Sequence, residues 1–207
     1  MSGVIYLLAG NPHARGRLAD PAMRAFFDEA GAVRPRVAYI GAASGDDLGF
    51  FEAMRARLQA NGAGEVDLVP LCGGTDETPA ALRLLAQADA VFVSGGDVCE
   101  GLEALRARPE VVASLRRRYE AGVPFMGLSA GSIMLSRAWV RWAEAPGEDD
   151  ALVDGLGFAP LYCDVHGEAE GWDELNALLR LLPAGTLGYG IRAGGALRVC
   201  GSVVENV

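Results

Sequence analysis

Residues 127–131 (GLSAG) have the spacing G-x-S-x-G, which is typical of a nucleophilic serine on a sharp turn between a strand and a helix. An apolar run precedes this segment and an amphipathic stretch follows it, so the flanking sequence predicts the two elements that such a turn joins. Ser129 is therefore our candidate nucleophile, and the amide of Ala130 is a candidate donor to the oxyanion that its attack creates. The alternative is a glycine-rich turn whose serine only caps a helix.

A second glycine-rich loop, residues 94–97 (SGGD), follows the apolar run 90–93 (AVFV). Because parallel strands end at the same edge of a sheet, we expect this loop to lie beside Ser129. Two adjacent glycines let the backbone approach a ligand closely. Gly96, or less favourably Gly95, is thus predicted to supply the second oxyanion donor, the alternative being an ordinary turn that ends in a helix cap.

A serine hydroxyl needs a base to accept its proton, and imidazole titrates near neutral pH. The chain has two histidines. His166 lies in a loop-like segment after the serine, and His13 follows the first predicted strand; we favour His166. The carboxylates that could orient its ring are, from the residues alone, Glu144, Asp154, Asp164, Glu168 and Glu170.

The elements that must position these groups alternate along the chain. Short apolar runs at 4–9, 36–40, 66–71, 90–93 and 124–128 predict strands, and amphipathic stretches between them predict helices. This order predicts an α/β fold, a doubly wound, mostly parallel sheet with helices on both faces. After residue 144 we predict a helix at 172–182 and short strands at 186–191, 196–200 and 202–205, the last two as a hairpin. No repeat or linker divides residues 1–207, so we predict a single domain.

The composition and net charge of the chain exclude some classes of protein and disfavour some partners. The chain has 207 residues, of which 51% are hydrophobic, and 18 basic against 27 acidic residues give a net charge of −9. This balance excludes a disordered chain and disfavours a nucleic-acid partner, which needs a basic face. Two histidines and widely spaced cysteines predict no metal site, and we expect no cofactor. With no signal-like start and no apolar run of membrane length, we expect a cytoplasmic protein without a membrane partner.

The order and spacing of five segments resemble the peptidase E/cyanophycinase family of serine hydrolases, whose fold is similar to that of class I glutamine amidotransferases. The segments are 94–97 (SGGD), 127–135 (GLSAGSIML), 153–158 (VDGLGF), 164–166 (DVH) and 187–199 (LGYGIRAGGALRV). The resemblance implies a Ser-His-acid triad that cleaves peptides through an acyl-enzyme. It places the nucleophile at Ser129, the base at His166 and the oxyanion amides at Gly96 and Ala130.

For the acid the resemblance offers two positions. In the dipeptidase branch the acid lies about fifteen residues after the serine, which corresponds to Glu144. In the cyanophycinase branch it lies in a terminal G-I-x-E segment, but here residues 190–193 read GIRA and contain no carboxylate. Glu144 is therefore the predicted acid.

Substrate preference is where this chain departs from the family. The family often has an arginine after the histidine that binds a substrate carboxylate, whereas residues 167–176 (GEAEGWDELN) are acidic and lack arginine. Specificity for an aspartyl residue is therefore not carried over, and Arg137, Arg192 or Arg141 could replace that arginine.

The function predicted is that of a serine peptidase of the dipeptidase or exopeptidase type, acting on short peptides as a monomer or homodimer. The alternatives are a cyanophycinase-like or other amide hydrolase, and a non-catalytic binding domain on the same fold.

Overall fold

The computed structural model describes residues 3–10, 18–73, 77–143 and 149–207. Its centre is a seven-stranded sheet with the strand order β11-β10-β1-β5-β4-β2-β3. These strands are β1 (Ile5–Leu8), β2 (Val37–Ile40), β3 (Val66–Val69), β4 (Ala90–Val93), β5 (Phe125–Leu128), β10 (Ala196–Cys200) and β11 (Val203–Asn206). The first five run parallel to one another, and β10 and β11 add antiparallel at one edge. The predicted α/β class with a mostly parallel sheet is confirmed.

Seven α-helices connect the strands. They are α1 (Pro21–Glu29), α2 (Leu48–Ala60), α3 (Thr78–Gln87), α4 (Val98–Arg106), α5 (Pro109–Glu120), α6 (Ala130–Leu135) and α7 (Asp173–Arg180) among the described residues. The start of α1 shows how sequence sets these bounds: Asp20 accepts hydrogen bonds from the amides of Ala22 and Met23, and Pro21 occupies the first turn, where no amide hydrogen is needed. No helix in the described part of the chain is both long enough and apolar enough to cross a bilayer.

Burial on both faces of the sheet explains why its strands read as continuous apolar runs. In β1, Ile5 and Leu7 pack into the core on one face, whereas Tyr6 and Leu8 pack into the core on the other. Successive side chains of a strand point to opposite faces, so a strand covered by helices on both sides must be apolar throughout. The carboxyl ends of β1, β2, β4 and β5 therefore lie at one edge of a rigid platform.

Two small sheets lie beside this platform. One pairs β6 (Ala138–Arg141) with β7 (Ala151–Asp154) in antiparallel fashion, and the other pairs β8 (Tyr162–Val165) with β9 (Gly188–Ile191) in parallel fashion. The sequence pattern predicted β9 but not β6, β7 or β8, and the prediction of a loop-like segment around residues 163–167 was wrong up to Val165. These strands are four residues long, and a buried aspartate, Asp164, interrupts the apolar run of β8.

Candidate active site

Ser129 occupies the sharp turn between β5 and α6, with backbone angles φ 52° and ψ −120°. A positive φ at a non-glycine residue is a strained conformation that the surrounding structure must enforce. Here the enforcement is close packing: a Cβ added to Gly131 would lie 2.1 Å from the carbonyl oxygen of Val93, and one on Gly127 would lie 2.7 Å from that of Gly131. The Ser129 amide also donates to the carbonyl of Leu8 at 2.8 Å. Both glycines of the G-x-S-x-G spacing are thus sterically required.

His166 follows β8 and faces this serine. The distance from Ser129 Oγ to His166 Nε2 is 3.0 Å, which is within the range for a proton transfer along a hydrogen bond. His166 has φ 46°, and its amide donates to the carbonyl of Ile191 at the end of β9. The structure therefore brings together the two residues that the sequence proposed as nucleophile and base. His13 lies outside the described residues.

The two amides proposed as oxyanion donors also lie at this edge. Gly96 has φ 143°, and a Cβ there would lie 1.8 Å from the carbonyl oxygen of Ala43, so only glycine fits. Ala130 is the first residue of α6 and has no helical acceptor for its amide. Within the described parts of the chain, neither amide donates to another backbone carbonyl. Both residues line a cavity together with Ser129 and His166, so their amides are available to a ligand.

The five carboxylates considered as triad acid lie in different places. Glu144 falls outside the described residues. Asp154 is on β7 and lines a separate cavity near Cys99. Glu168 accepts from the Ala193 amide at 3.0 Å, and hydrogen bonds from its own amide and that of Ala193 lower its pKa. Glu170 is exposed on the wall of the cavity. Ser129 is the one side chain that hydrogen-bonds the His166 ring within the described ranges.

Asp164, two residues before the histidine, is 6% exposed. One of its oxygens accepts the Val165 amide at 2.7 Å. Burial is the main influence on this group and raises the pKa of the Asp164 carboxyl, with the nearby Glu174 adding in the same direction. A buried carboxyl with a raised pKa beside a base is a feature of functional sites, and sequence alone did not single it out.

Two cavities adjoin the Ser129–His166 pair, one on each side. The first has a volume of about 500 Å³ and reaches from the start of α4 to the start of α7. The second has a volume of about 490 Å³ and lies over the carboxyl ends of β1 and β5, against α2. Ser129, His166 and Gly96 line both. A molecule attached to the serine can therefore extend in two directions.

The arginines that the sequence analysis proposed as substrate-binding residues do not line the two cavities beside Ser129. The guanidinium carbon of Arg137 sits 5.9 Å from the centre of the Tyr162 ring, and Arg192 is exposed. Neither lines either cavity, and Arg141 lines a different one near Cys99. Of the arginines that the structure describes, Arg57 on α2 lines a cavity beside the serine. Sequence reasoning missed it, although its helical spacing from Phe50 and Met54 places all three on one face.

Known proteins that this chain resembles are peptidases. The model of peptidase family S51 matches residues 6–207. The crystal structure of a peptidase from an acI-B1 Actinobacterium aligns with a TM-score of 0.76 at 19% identity, covering 100% of this chain and 88% of that chain. A candidate peptidase E protein from Listeria monocytogenes EGD-e aligns with a TM-score of 0.71 at 16% identity, covering 100% and 98%. At these identities the two structures show a shared fold.

Proposed function

Because the chain belongs to peptidase family S51 and is a serine peptidase, we propose that it is an exopeptidase that hydrolyses short peptides through an acyl-enzyme on Ser129. The observation that carries this proposal is the 3.0 Å contact between Ser129 Oγ and His166 Nε2 at the junction of two cavities. Each cavity has a volume of about 500 Å³, which suits a small ligand better than a long polymer.

The reaction begins when His166 Nε2 accepts the hydroxyl proton as Ser129 Oγ attacks the scissile carbonyl carbon. The carbonyl oxygen becomes an oxyanion, to which the amides of Gly96 and Ala130 donate. His166 then gives its proton to the leaving amine as the C–N bond breaks. Water, deprotonated by the same imidazole, attacks the acyl carbon, and the carboxylic acid leaves as Ser129 recovers its proton.

We propose Glu144 as the residue that holds the other ring nitrogen of His166 and so completes a Ser-His-Glu triad. The proposal is supported by its position in the sequence relative to Ser129. Removal of such an orienting carboxylate reduces turnover strongly because the imidazole loses its correct tautomer and direction.

The test of the nucleophile uses a fluorophosphonate probe and a library of dipeptides. We expect the probe to label the wild-type chain and to fail on Ser129→Ala, and the wild-type chain to release free amino acids from dipeptides. Labelling without any peptide cleavage would indicate another amide hydrolase, and equal labelling of Ser129→Ala would refute the nucleophile. A non-catalytic binding domain would show neither labelling nor cleavage.

The test of the acid compares Glu144→Gln with Asp164→Asn and Glu168→Gln. Each variant replaces a carboxylate by its amide, so the three differ in position rather than in chemistry. We expect Glu144→Gln to lower kcat/KM by more than about tenfold and the other two to lower it less. A smaller loss at Glu144 than at Asp164 would move the triad acid to Asp164.

A further inference from the structure

The two cavities beside Ser129 differ in charge. We call the first the acidic cavity, because five described carboxylates and no described arginine line it: Asp97, Asp164, Glu170, Asp173 and Glu174. Across the described ranges, no basic nitrogen lies within 4 Å of any of the five. A positively charged group on a ligand would therefore meet several carboxylates beside the nucleophile that no described basic side chain pairs.

Protein contacts satisfy the carboxylates of the acidic cavity only in part. Asp97 accepts from the Glu100 amide at 2.9 Å, and Glu174 accepts from the indole nitrogen of Trp139 at 3.2 Å. Asp164 is buried, and its pKa is raised by desolvation and by Glu174. Since desolvation and repulsion from Glu174 both disfavour the ionised form of Asp164, a bound cation would stabilise that form.

The geometry favours an organic cation over a metal ion. Throughout the described residues, no three histidine, cysteine, aspartate or glutamate side chains are grouped so that they could hold a metal. The cavity instead has an aromatic side, because Trp139 lines it. A cavity lined by carboxylates and an indole suits an ammonium or guanidinium group on a flexible chain.

The second cavity, which we call the apolar cavity, is lined by Phe50, Met54 and Leu128. Among the residues that the structure describes, Arg57 is its one permanently charged lining residue. The Nη2 atom of Arg57 pairs with Asp20 at 2.6 Å, while its Nε atom is buried without a hydrogen-bond partner. Within the described chain, Asp20 is the only acceptor of this guanidinium, so it retains capacity to bind a carboxylate.

Building on the proposed exopeptidase function, we infer that a peptide binds across Ser129 with its amino-terminal residue in the acidic cavity and its carboxyl-terminal residue in the apolar cavity, where Arg57 faces the terminal carboxylate. A free peptide carries a positive charge at its first residue and a negative charge at its last, so charge complementarity fixes this direction. The substrate class is that of short, unblocked peptides with a basic first residue and an apolar last residue.

The experiment measures kcat/KM for the dipeptides Lys-Leu, Ala-Leu and Asp-Leu, together with Lys-Leu amide, at low ionic strength. We expect the order Lys-Leu, Ala-Leu, Asp-Leu, with at least about a tenfold ratio between the first and the last. Amidation of the carboxyl terminus removes the charge that faces Arg57, so Lys-Leu amide should be cleaved more slowly than Lys-Leu.

The double variant Glu170→Gln/Glu174→Gln tests the acidic cavity directly. Glutamine at 174 keeps an acceptor for the Trp139 indole, so the change removes charge with little change in shape. We expect the ratio of Lys-Leu to Asp-Leu cleavage to fall several-fold. The matched control is Glu103→Gln/Glu110→Gln, two exposed carboxylates outside both cavities, which should leave the ratio unaltered.

The outcomes separate this inference from the function on which it rests. Cleavage of Asp-Leu as fast as Lys-Leu, or a ratio unmoved in the double variant, would overturn the charge assignment while leaving the exopeptidase intact. Failure to cleave any dipeptide, with Ser129 still labelled, would overturn both.

Discussion

Ser129 and His166 meet at 3.0 Å, yet two unlike regions of the fold hold them. Ser129 follows β5, a strand at the centre of the seven-stranded sheet, and close glycine packing fixes its turn. His166 follows β8, which belongs to a two-stranded sheet at the side, and its ring is exposed. The nucleophile is thus built into the central sheet, whereas the base follows a strand of a small sheet that packs against the same core through Cys163, Val165 and Ile191.

Because of this difference, we expect mutations near His166 to reduce activity with little loss of folding stability. Mutations near Ser129 should reduce both. A change near Ser129 disturbs contacts between β4, β5 and α6 at the centre of the seven-stranded sheet. A change near His166 disturbs a small sheet and the start of α7, where fewer buried groups are at stake.

The largest effect is expected from His166→Asn. Asparagine tolerates the left-handed backbone at φ 46°, so the variant removes the base with little strain. We expect kcat/KM on a cleaved dipeptide to fall by at least about a thousandfold, because the serine loses the acceptor for its proton. The free energy of unfolding in urea should change by no more than about 0.5 kcal/mol, since the ring is exposed. A large loss of stability would show that the peripheral sheet is part of the cooperative core.

The second-largest effect is expected from Gly131→Ala, which tests the close packing around the Ser129 turn. The added methyl group would lie 2.1 Å from the carbonyl oxygen of Val93, a backbone atom of β4 that cannot move without disturbing the sheet. We expect the free energy of unfolding to fall by about 3 kcal/mol, measured by urea titration, and activity to fall with it.

The matched control for that glycine is Gly190→Ala on β9, where the methyl group would meet the Trp172 indole at 2.8 Å. This contact is with a side chain in the peripheral region, so we expect a smaller stability loss than at Gly131 but a measurable loss of activity. Equal stability losses at the two glycines would remove the distinction between the regions.

The smallest effect concerns pH and Asp164. Burial raises the pKa of this carboxyl in the folded chain above its ordinary value of 3.8, so the folded state holds the proton more tightly than the unfolded state does. The resulting contribution to stability is complete below pH 3.8 and is lost as the pH rises through the folded-state pKa. Asp164→Asn does not titrate, so its stability relative to the wild type should increase with pH over this window, as urea unfolding at several pH values would show. A difference that stays constant with pH would contradict the raised pKa.

The sequence alone predicted the parts of this protein that depend on local pattern. The G-x-S-x-G spacing marked the turn at Ser129, the loop at 94–97 marked the neighbouring amide at Gly96, and apolar runs marked the five parallel strands. These features have strong local signals because a strand buried on both faces must be apolar, and a turn without room for side chains must be glycine.

Only the tertiary structure decided what surrounds the nucleophile. The 3.0 Å approach of His166 depends on β8, and no local sequence pattern indicates the pairing of β8 with β9 across the α7 connection. Likewise, Arg57 reaches a cavity beside Ser129 because α2 packs near the end of β1, and acidic residues from α4, β8 and α7 meet in one cavity only when these elements assemble. The net charge of a cavity depends on which side chains the fold brings together. Since these residues are separated in the sequence, only the folded structure determines that charge.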